Sequence, residues 1–435
     1  MQLLNYSLGE ILEKWAFETP DTEFMVYPDR DLRFTYSRFN KRVNSLAKGL
    51  LYLGVQPGNK IAIWAKNVPD WTTLFFASAK IGAVLVPVKP TYNLTELEFV
   101  LKDADIHSLF LSDDVSTGNF AEIIHRLIPT IKTNARERLN SKHFPKLRNV
   151  VFIGQKKQRG MYNTAELILL GSHIDEIELE SAKSSVDCHN VATIQYTRSG
   201  ETFLGAMLSH QSVLNSGHSV GECMKYTSAE RLLLSLPLSE VRGNVLGLCS
   251  VVAHGATLVF AEDFTTYQIL VSMESEKCTA IYGTSELFNE IMSLPEFNSF
   301  KLTSLRAGIL FNSNSEEKVV NNVQAKMHLK DLITVYGTTE SSGGITATRP
   351  HNPIKTHTTT IGFELPNVEV KIVNTKTGEL CDAEEQGEIC CRGYNVMKGY
   401  YKNRKASEMI IDKDGWLHTG NLGVKTTDGF YRIIK

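Results

Sequence analysis

The sequence predicts an α/β fold: two α/β subdomains with mainly parallel sheets, followed by a smaller antiparallel β subdomain. Three observations predict it. Short apolar runs alternate with helical periodicities from Lys60 to Asp113, the same alternation resumes from Val191 to Tyr336, and beyond His351 closely spaced strands are separated by turn residues. At 435 residues the chain exceeds the size at which one hydrophobic core keeps growing, which suggests units at 1–190, 191–345 and 346–435.

The opening stretch "MQLLNYSLGEILEKWAF" has no basic leader and carries Glu10 and Glu13 inside its apolar pattern, so it reads as an amphipathic surface helix and not as a signal peptide. Thr35 is placed to cap a helix whose apolar positions Phe39, Val43, Leu46, Ala47, Leu50 and Leu53 share one face, with Gly54 as its stop. "KIAIWA" (60–65) follows as a strand, Asp70 is positioned to cap the helix "WTTLFFASAKIG", and "AVLVPV" (83–88) is the next strand. Strand, helix, strand in that order implies a right-handed crossover and parallel pairing, which "HSLFLSD" continues. From Asp114 to Asn190 the pattern weakens, and "KTNARERLNSKHFPK" reads as a helix plus loop whose basic residues form a solvated face.

The second alternation comprises "VATIQYT", "RLLLSLPL", "GATLVFA", "CTAIYG" and "DLITVYG" with helical stretches between them. The last unit is marked by "NVEVKIVNTKTGEL" and "EEQGEICCRGY". Lys plus Arg total 46 against 48 Asp plus Glu, a net charge of -2 without long charged blocks, which argues against nucleic-acid partners and against electrostatic attachment to a membrane surface. No apolar run approaches the roughly 18 residues of a membrane span, so a cytoplasmic location is expected. The seven cysteines show no CxxC and no Cys/His pairing at zinc spacing, as expected of free thiols.

Chemistry concentrates in "YTRSGETFLGAMLSH" (196–210). A strand end, a polar glycine-bearing turn and a helix N-terminus can together cradle phosphate, although these residues taken alone favour a plain surface turn. The stretches "GAVLVPVKPTYNLTELEFVLKDAD", "GAMLSHQSVLN", "VYGTTESSGG", "GEICCRGYNVMKGYYKN" and "DGWLHTGN", taken in order, resemble the adenylate-forming superfamily, above all the AMP-forming acyl-CoA synthetases, over nearly the entire chain.

That resemblance implies a nucleotide cleft using ATP or AMP and Mg²⁺. In "VYGTTE", Tyr336 would pack on adenine, Gly337 and Thr338 would belong to the same nucleotide loop, Thr339 would meet the α-phosphate, and Glu340 would hold Mg²⁺. Thr339 and Glu340 are thus the implied catalytic pair. Thr197, Arg198, Ser199, Gly200 and Thr202 would form the phosphate loop, and Asn421 would meet the ribose. The implied reaction joins a medium- or long-chain fatty acid to AMP and then to coenzyme A, and the resemblance allows a homodimer.

The sequence also departs from the family pattern. Loops of the family read Tyr-Thr-Ser-Gly-Thr-Thr-Gly, a variable residue, then Pro-Lys-Gly, whereas this chain gains Arg198, has Glu201 for a threonine, and lacks the second glycine, the proline and the lysine. Losing a cation and gaining an anion weakens triphosphate binding, and Arg198 is the candidate substitute cation. Asn421 replaces an aspartate, giving up a charge-assisted hydrogen bond. Ser239 and Glu240 stand where an aromatic residue and a histidine flank the acyl carboxylate, and Glu240 would repel that carboxylate unless Arg242 pairs with it. "AGILFNSNS" puts Phe311 and Asn312 where glycine is usual, and the chain ends at "FYRIIK", where the family has a hinge and a small domain bearing the adenylation lysine and the coenzyme A tunnel. Coenzyme A binding is therefore not expected of these residues. Two readings stay open: an acyl-CoA synthetase with impaired chemistry, or a catalytically silent relative that binds a ligand or serves as a scaffold.

Overall fold

A computed structural model of the chain describes all residues except 114–117, 155, 200–201, 262–264, 312–316 and 435, together with the side chains of Arg138 and Ser199. Its strands form three sheets of seven, nine and four. In the seven-stranded sheet, strands Tyr162–Asn163, Asn149–Phe152, Ile106–Leu111, Lys60–Trp64, Val84–Val88 and Val191–Ser199 lie side by side and parallel, and Thr202–Ser209 closes one edge as an antiparallel hairpin. Strands Lys60–Trp64 and Val84–Val88 are almost wholly buried, as expected where helices cover both faces of a parallel sheet. Helix Pro69–Lys80 makes the crossover between them.

The nine-stranded sheet is parallel through Asp331–Tyr336, Ala307–Phe311, Ala280–Thr284, Arg231–Leu234, Thr257–Phe260 and Glu23–Tyr27, with antiparallel strands at both ends. Strands Val368–Val373, Gly387–Gly393, Leu417–Lys425 and Tyr431–Ile433 form the antiparallel meander expected from their turn spacing.

Sheet membership crosses the expected boundaries. The hairpin Glu23–Tyr27/Leu32–Thr35 belongs to the nine-stranded sheet, where Met25 pairs with Leu258, while Val191–Ser199 pairs back into the first sheet through Thr193 and Leu85. Strands Thr346–Ala347 and Phe363–Glu364 likewise extend the nine-stranded sheet and not the meander. Burial and charge cause the first crossing: Phe24, Met25 and Val26 are fully buried, and Glu276 receives both Arg33 (2.5 Å) and Arg231 (2.7 Å), clamping the hairpin edge to the distant strand. One apolar core runs continuously between the two large sheets, joining Phe24, Leu46, Leu85, Val213, Leu234 and Ile309.

Thr35 caps helix Tyr36–Tyr52 by accepting from the Arg38 amide, and Phe39, Val43, Leu46, Ala47 and Leu50 are buried as their spacing predicts. Glu10 completes a capping box with Ser7 on helix Leu8–Glu18, while Glu13 pairs with the buried ammonium of Lys80. Asp70 does not cap its helix: Pro69 occupies the first turn behind Val68, and the Asp70 carboxylate instead receives Arg42 at 2.9 Å.

A candidate active site where the sheets meet

The carboxyl ends of parallel strands from both large sheets converge on a cavity of about 950 Å³, with residues 417–420 of the meander on its far wall. Ligands of open α/β sheets bind at such strand ends, because successive loops there fan out around a crevice. Lys89 follows strand Val84–Val88, Phe311 ends Ala307–Phe311, and Tyr336 ends Asp331–Tyr336. All three line the cavity.

Every residue from Tyr336 to Glu340 lines it as well. Gly337 is required by packing, since a Cβ there would lie 2.5 Å from the backbone of Gly343. Thr338 opens the short turn Thr339–Ser341, its amide donating to Ser341 Oγ at 2.8 Å. The Tyr400 hydroxyl donates to Glu340 Oε1 at 2.8 Å, and the Glu340 carbonyl accepts from the Met397 amide at 2.8 Å, so the carboxylate is fixed at the rim. Burial and the facing Glu340 charge hold the Tyr400 hydroxyl well above the usual phenol range, so it stays a donor. Tyr336 is pushed up to about 12 by burial, and its hydroxyl faces Thr419 and Asn421 while its ring borders the cavity.

The segment expected to form the phosphate loop lies between two paired strands. Val191–Ser199 pairs with Thr202–Ser209 down to Ser199 opposite Thr202, and the following helix begins only at His210, capped by Ser209. The helix N-terminus expected at this loop is therefore a full strand away, because the residues after the turn extend the sheet before they coil. Thr197 and Arg198 line the cavity; Thr202 is exposed and does not; the side chain of Ser199 and all of Gly200 and Glu201 lie outside the described residues, as does Asn312.

Arg198 is not a spare cation. Its guanidinium donates to Glu96 at 2.7 Å and lies over the Phe203 ring at 5.1 Å, both partners being cavity residues. Glu96 in turn belongs to the capping box of helix Leu94–Asp103. The expected Arg242 partner for Glu240 is also replaced: Lys89 holds Glu240 at 3.0 Å, and Arg242 sits over the Phe311 ring at 5.1 Å. Among the described residues, Arg242 is the lining cation that no carboxylate engages. It opens a π-helical segment, Arg242–Cys249, a winding that favours functional positions because it widens the turn. Asn421 is half-buried beside Thr419 and Gly420 but does not itself line the cavity, its amide donating to the Thr419 carbonyl at 3.2 Å.

Lys89, Tyr400 and His418 are lining residues that sequence reasoning did not single out. Lys89 alone carried a usable signal, its position immediately beyond an all-apolar parallel strand. All seven cysteines are free, and among the described residues no helix is long and apolar enough to cross a membrane.

Comparison with known proteins gives a consistent result. The family model described as "AMP-binding enzyme" matches residues 12–401. A Bacillus subtilis protein named as an acyl-CoA synthetase, YngI, is 38% identical over 434 residues, covering 99% of this chain and 79% of its own length. The human mitochondrial medium-chain acyl-CoA ligase ACSF2 is 30% identical over 438 residues, covering 98% of this chain and 71% of its own. Among solved structures, a long-chain-fatty-acid-CoA ligase of Archaeoglobus fulgidus, FadD1, superposes with a TM-score of 0.83 at 18% identity, covering 100% of this chain and 85% of the other, a likeness of fold.

Proposed function

Since this chain belongs to the AMP-binding enzyme family and its relatives are named as acyl-CoA synthetases and ligases, we propose that its cavity binds an adenine nucleotide with a carboxylic acid of the fatty-acid class, and that adenylation there is slow. One observation carries the reading: among the described residues, Tyr336, Thr339 and Glu340 line the cavity together, while two of its three lining Lys/Arg cations are paired with glutamates. Tyr336 offers a ring face, Thr339 a hydroxyl and Glu340 a braced carboxylate. Arg198 and Lys89 are each committed to a glutamate.

The chain's own residues divide the work as follows. Tyr336 stacks the base, and Thr339 donates to the phosphate nearest it. Glu340, held by Tyr400, fits Mg²⁺ because an oriented carboxylate is a hard oxygen donor, and the ion when bound screens the triphosphate charge. Arg242 supplies the free positive charge for the anionic group nearest the π-helix. Lys89 neutralises Glu240, so a substrate carboxylate entering beside it meets a pair of zero net charge and not an isolated anion. In phosphoryl and nucleotidyl transfer, positioning and electrostatics supply most of the catalysis, so the missing loop lysine lowers the rate more than the affinity.

Calorimetric titration with ATP and with AMP in the presence of Mg²⁺ tests this. Binding of both is expected, weakened at least about tenfold by Tyr336→Ala and, for ATP only, by Glu340→Gln. No heat with either nucleotide defeats the proposal. The silent-relative reading is favoured by the two committed cations; it requires that no acid-dependent pyrophosphate release occur at any enzyme concentration, whether or not nucleotide binds.

A further inference from the structure

Away from this cavity, helix His210–Cys223 and helix Ser250–His254 bring His218, Glu222 and His254 together, one ligand atom from each lying within 4.8 Å of the others. His218 and Glu222 are four apart and share one helix face. Gly221 lets the second helix approach: a Cβ on it would meet the His254 ring at 2.3 Å. The two imidazole rings have centroids 4.9 Å apart.

The hydrogen-bond inventory leaves a deficit of protons. His254 Nδ1 lies 2.8 Å from the Ser250 carbonyl, which can only accept, so Nδ1 carries the proton and the lone pair of neutral His254 is on Nε2. That Nε2 faces Glu222 Oε1, a second acceptor, at 3.3 Å. The buried Nδ1 of His218 has no hydrogen-bond partner. One ligand atom from each of the three side chains thus lies within 4.8 Å of the other two, and neutral His254 places no proton between its Nε2 and Glu222.

We propose that His218, Glu222 and His254 form a site for a borderline-soft divalent cation, Zn²⁺ above all. A two-histidine, one-carboxylate set is a zinc donor set, and bonds of about 2.0–2.1 Å in a tetrahedron put neighbouring donors about 3.4 Å apart, close to the His254–Glu222 separation. The Ser250 carbonyl is the outer partner that fixes the tautomer of the ligating ring. Both helices end within a turn or so of the site, at Cys223 and His254, where the backbone carbonyls favour positive charge. Glu222 is exposed and gives the ion a path from solvent, while His254 is buried. A bound ion would clamp the helix that follows the phosphate hairpin to the helix that continues from the π-helical segment of Arg242. Local spacing in the sequence carries no sign of this set, because His218 and His254 lie on different helices.

Equilibrium dialysis of the full chain against ZnCl₂, with metal analysis, and visible absorption of the Co²⁺-loaded protein test the site. One equivalent of Zn²⁺ is expected to bind at about 1 μM free metal. His218→Gln and Glu222→Gln each weaken it by more than about tenfold. Cys390→Ser, which alters the other Glu/Cys/His cluster, at Glu388, Cys390 and His418, leaves it unchanged. Co²⁺ is expected to give a tetrahedral spectrum without a thiolate charge-transfer band. Because both glutamine variants change side chains with a solvent face, their thermal transitions should match the metal-free wild type and lose only its Zn²⁺-dependent rise. No binding at about 100 μM Zn²⁺, or binding insensitive to both glutamine variants, or binding abolished by Cys390→Ser, overturns the proposal.

Discussion

Individual side chains set what the cavity can do. Lys89 is the clearest case, since it alone cancels Glu240. Lys89→Met is expected to weaken fatty-acid binding more than about tenfold, and Glu240→Gln to strengthen it, as read by displacement of a fluorescent fatty acid; equal effects from both would contradict the pairing. His210 and His357 give a prediction in pH. Both are fully buried, and burial holds each down to about 4. An unfolded histidine titrates near 6.5, so between about 6.5 and 4 the unfolded chain binds protons that the native chain refuses. Stability is therefore whole above this window and falls as pH drops through it, by up to about 1.4 kcal/mol per pH unit for each histidine. Denaturant melts of His210→Asn across that range should show a shallower slope than wild type, whatever the variant's absolute stability.

At the scale of elements, the hairpin 191–209 decides how the proposed phosphate side is charged. Arg198 is drawn toward helix Leu94–Asp103 by Glu96, and that pull is reversible in principle because the guanidinium is mostly exposed. Glu96→Gln keeps the capping-box acceptor but removes the charge, so Arg198 becomes available to phosphate. ATP affinity measured by calorimetry should rise several-fold, and an unchanged affinity would mean that Arg198 points away from the nucleotide even when released. Most helices and strands were legible from the sequence: the face of helix Tyr36–Tyr52, the buried parallel strands and the meander follow directly from spacing and turn residues. The hairpin was misread because Gly205 and its neighbours look like a loop leading to a helix, whereas pairing with Val191–Ser199 keeps them extended. Register across strands is a tertiary choice that local propensity does not encode.

For the molecule as a whole, the two large sheets are interlocked and not strung in sequence. The hairpin 23–35 is sealed into the nine-stranded sheet by Glu276, whose carboxylate is nearly buried between Arg33 and Arg231. Glu276→Ala leaves Arg33 and Arg231 with Glu23 as their remaining carboxylate and is expected to cost about 2 kcal/mol in denaturant unfolding, with one cooperative transition for both sheets; two separated transitions would contradict a shared core. This interlocking was not legible because the contacts span more than 200 positions, as Arg33–Glu276 does at a separation of 243. The site was legible in part for the same reason. "VYGTTE" is contiguous and declared itself, whereas the pairing of Lys89 with Glu240 and of Arg198 with Glu96 joins segments that meet only in the folded chain.

Acid-dependent pyrophosphate release reports whether the proposed nucleotide site combines an intact adenine side with an undercharged phosphate side. The chain and the human ACSF2 ligase would be assayed together with ATP, Mg²⁺ and fatty acids from medium to long chain. Detectable release abolished by Glu340→Gln, at least about 100-fold slower than that of the relative, is the predicted result. Release as fast as the relative's would rule out an undercharged phosphate side.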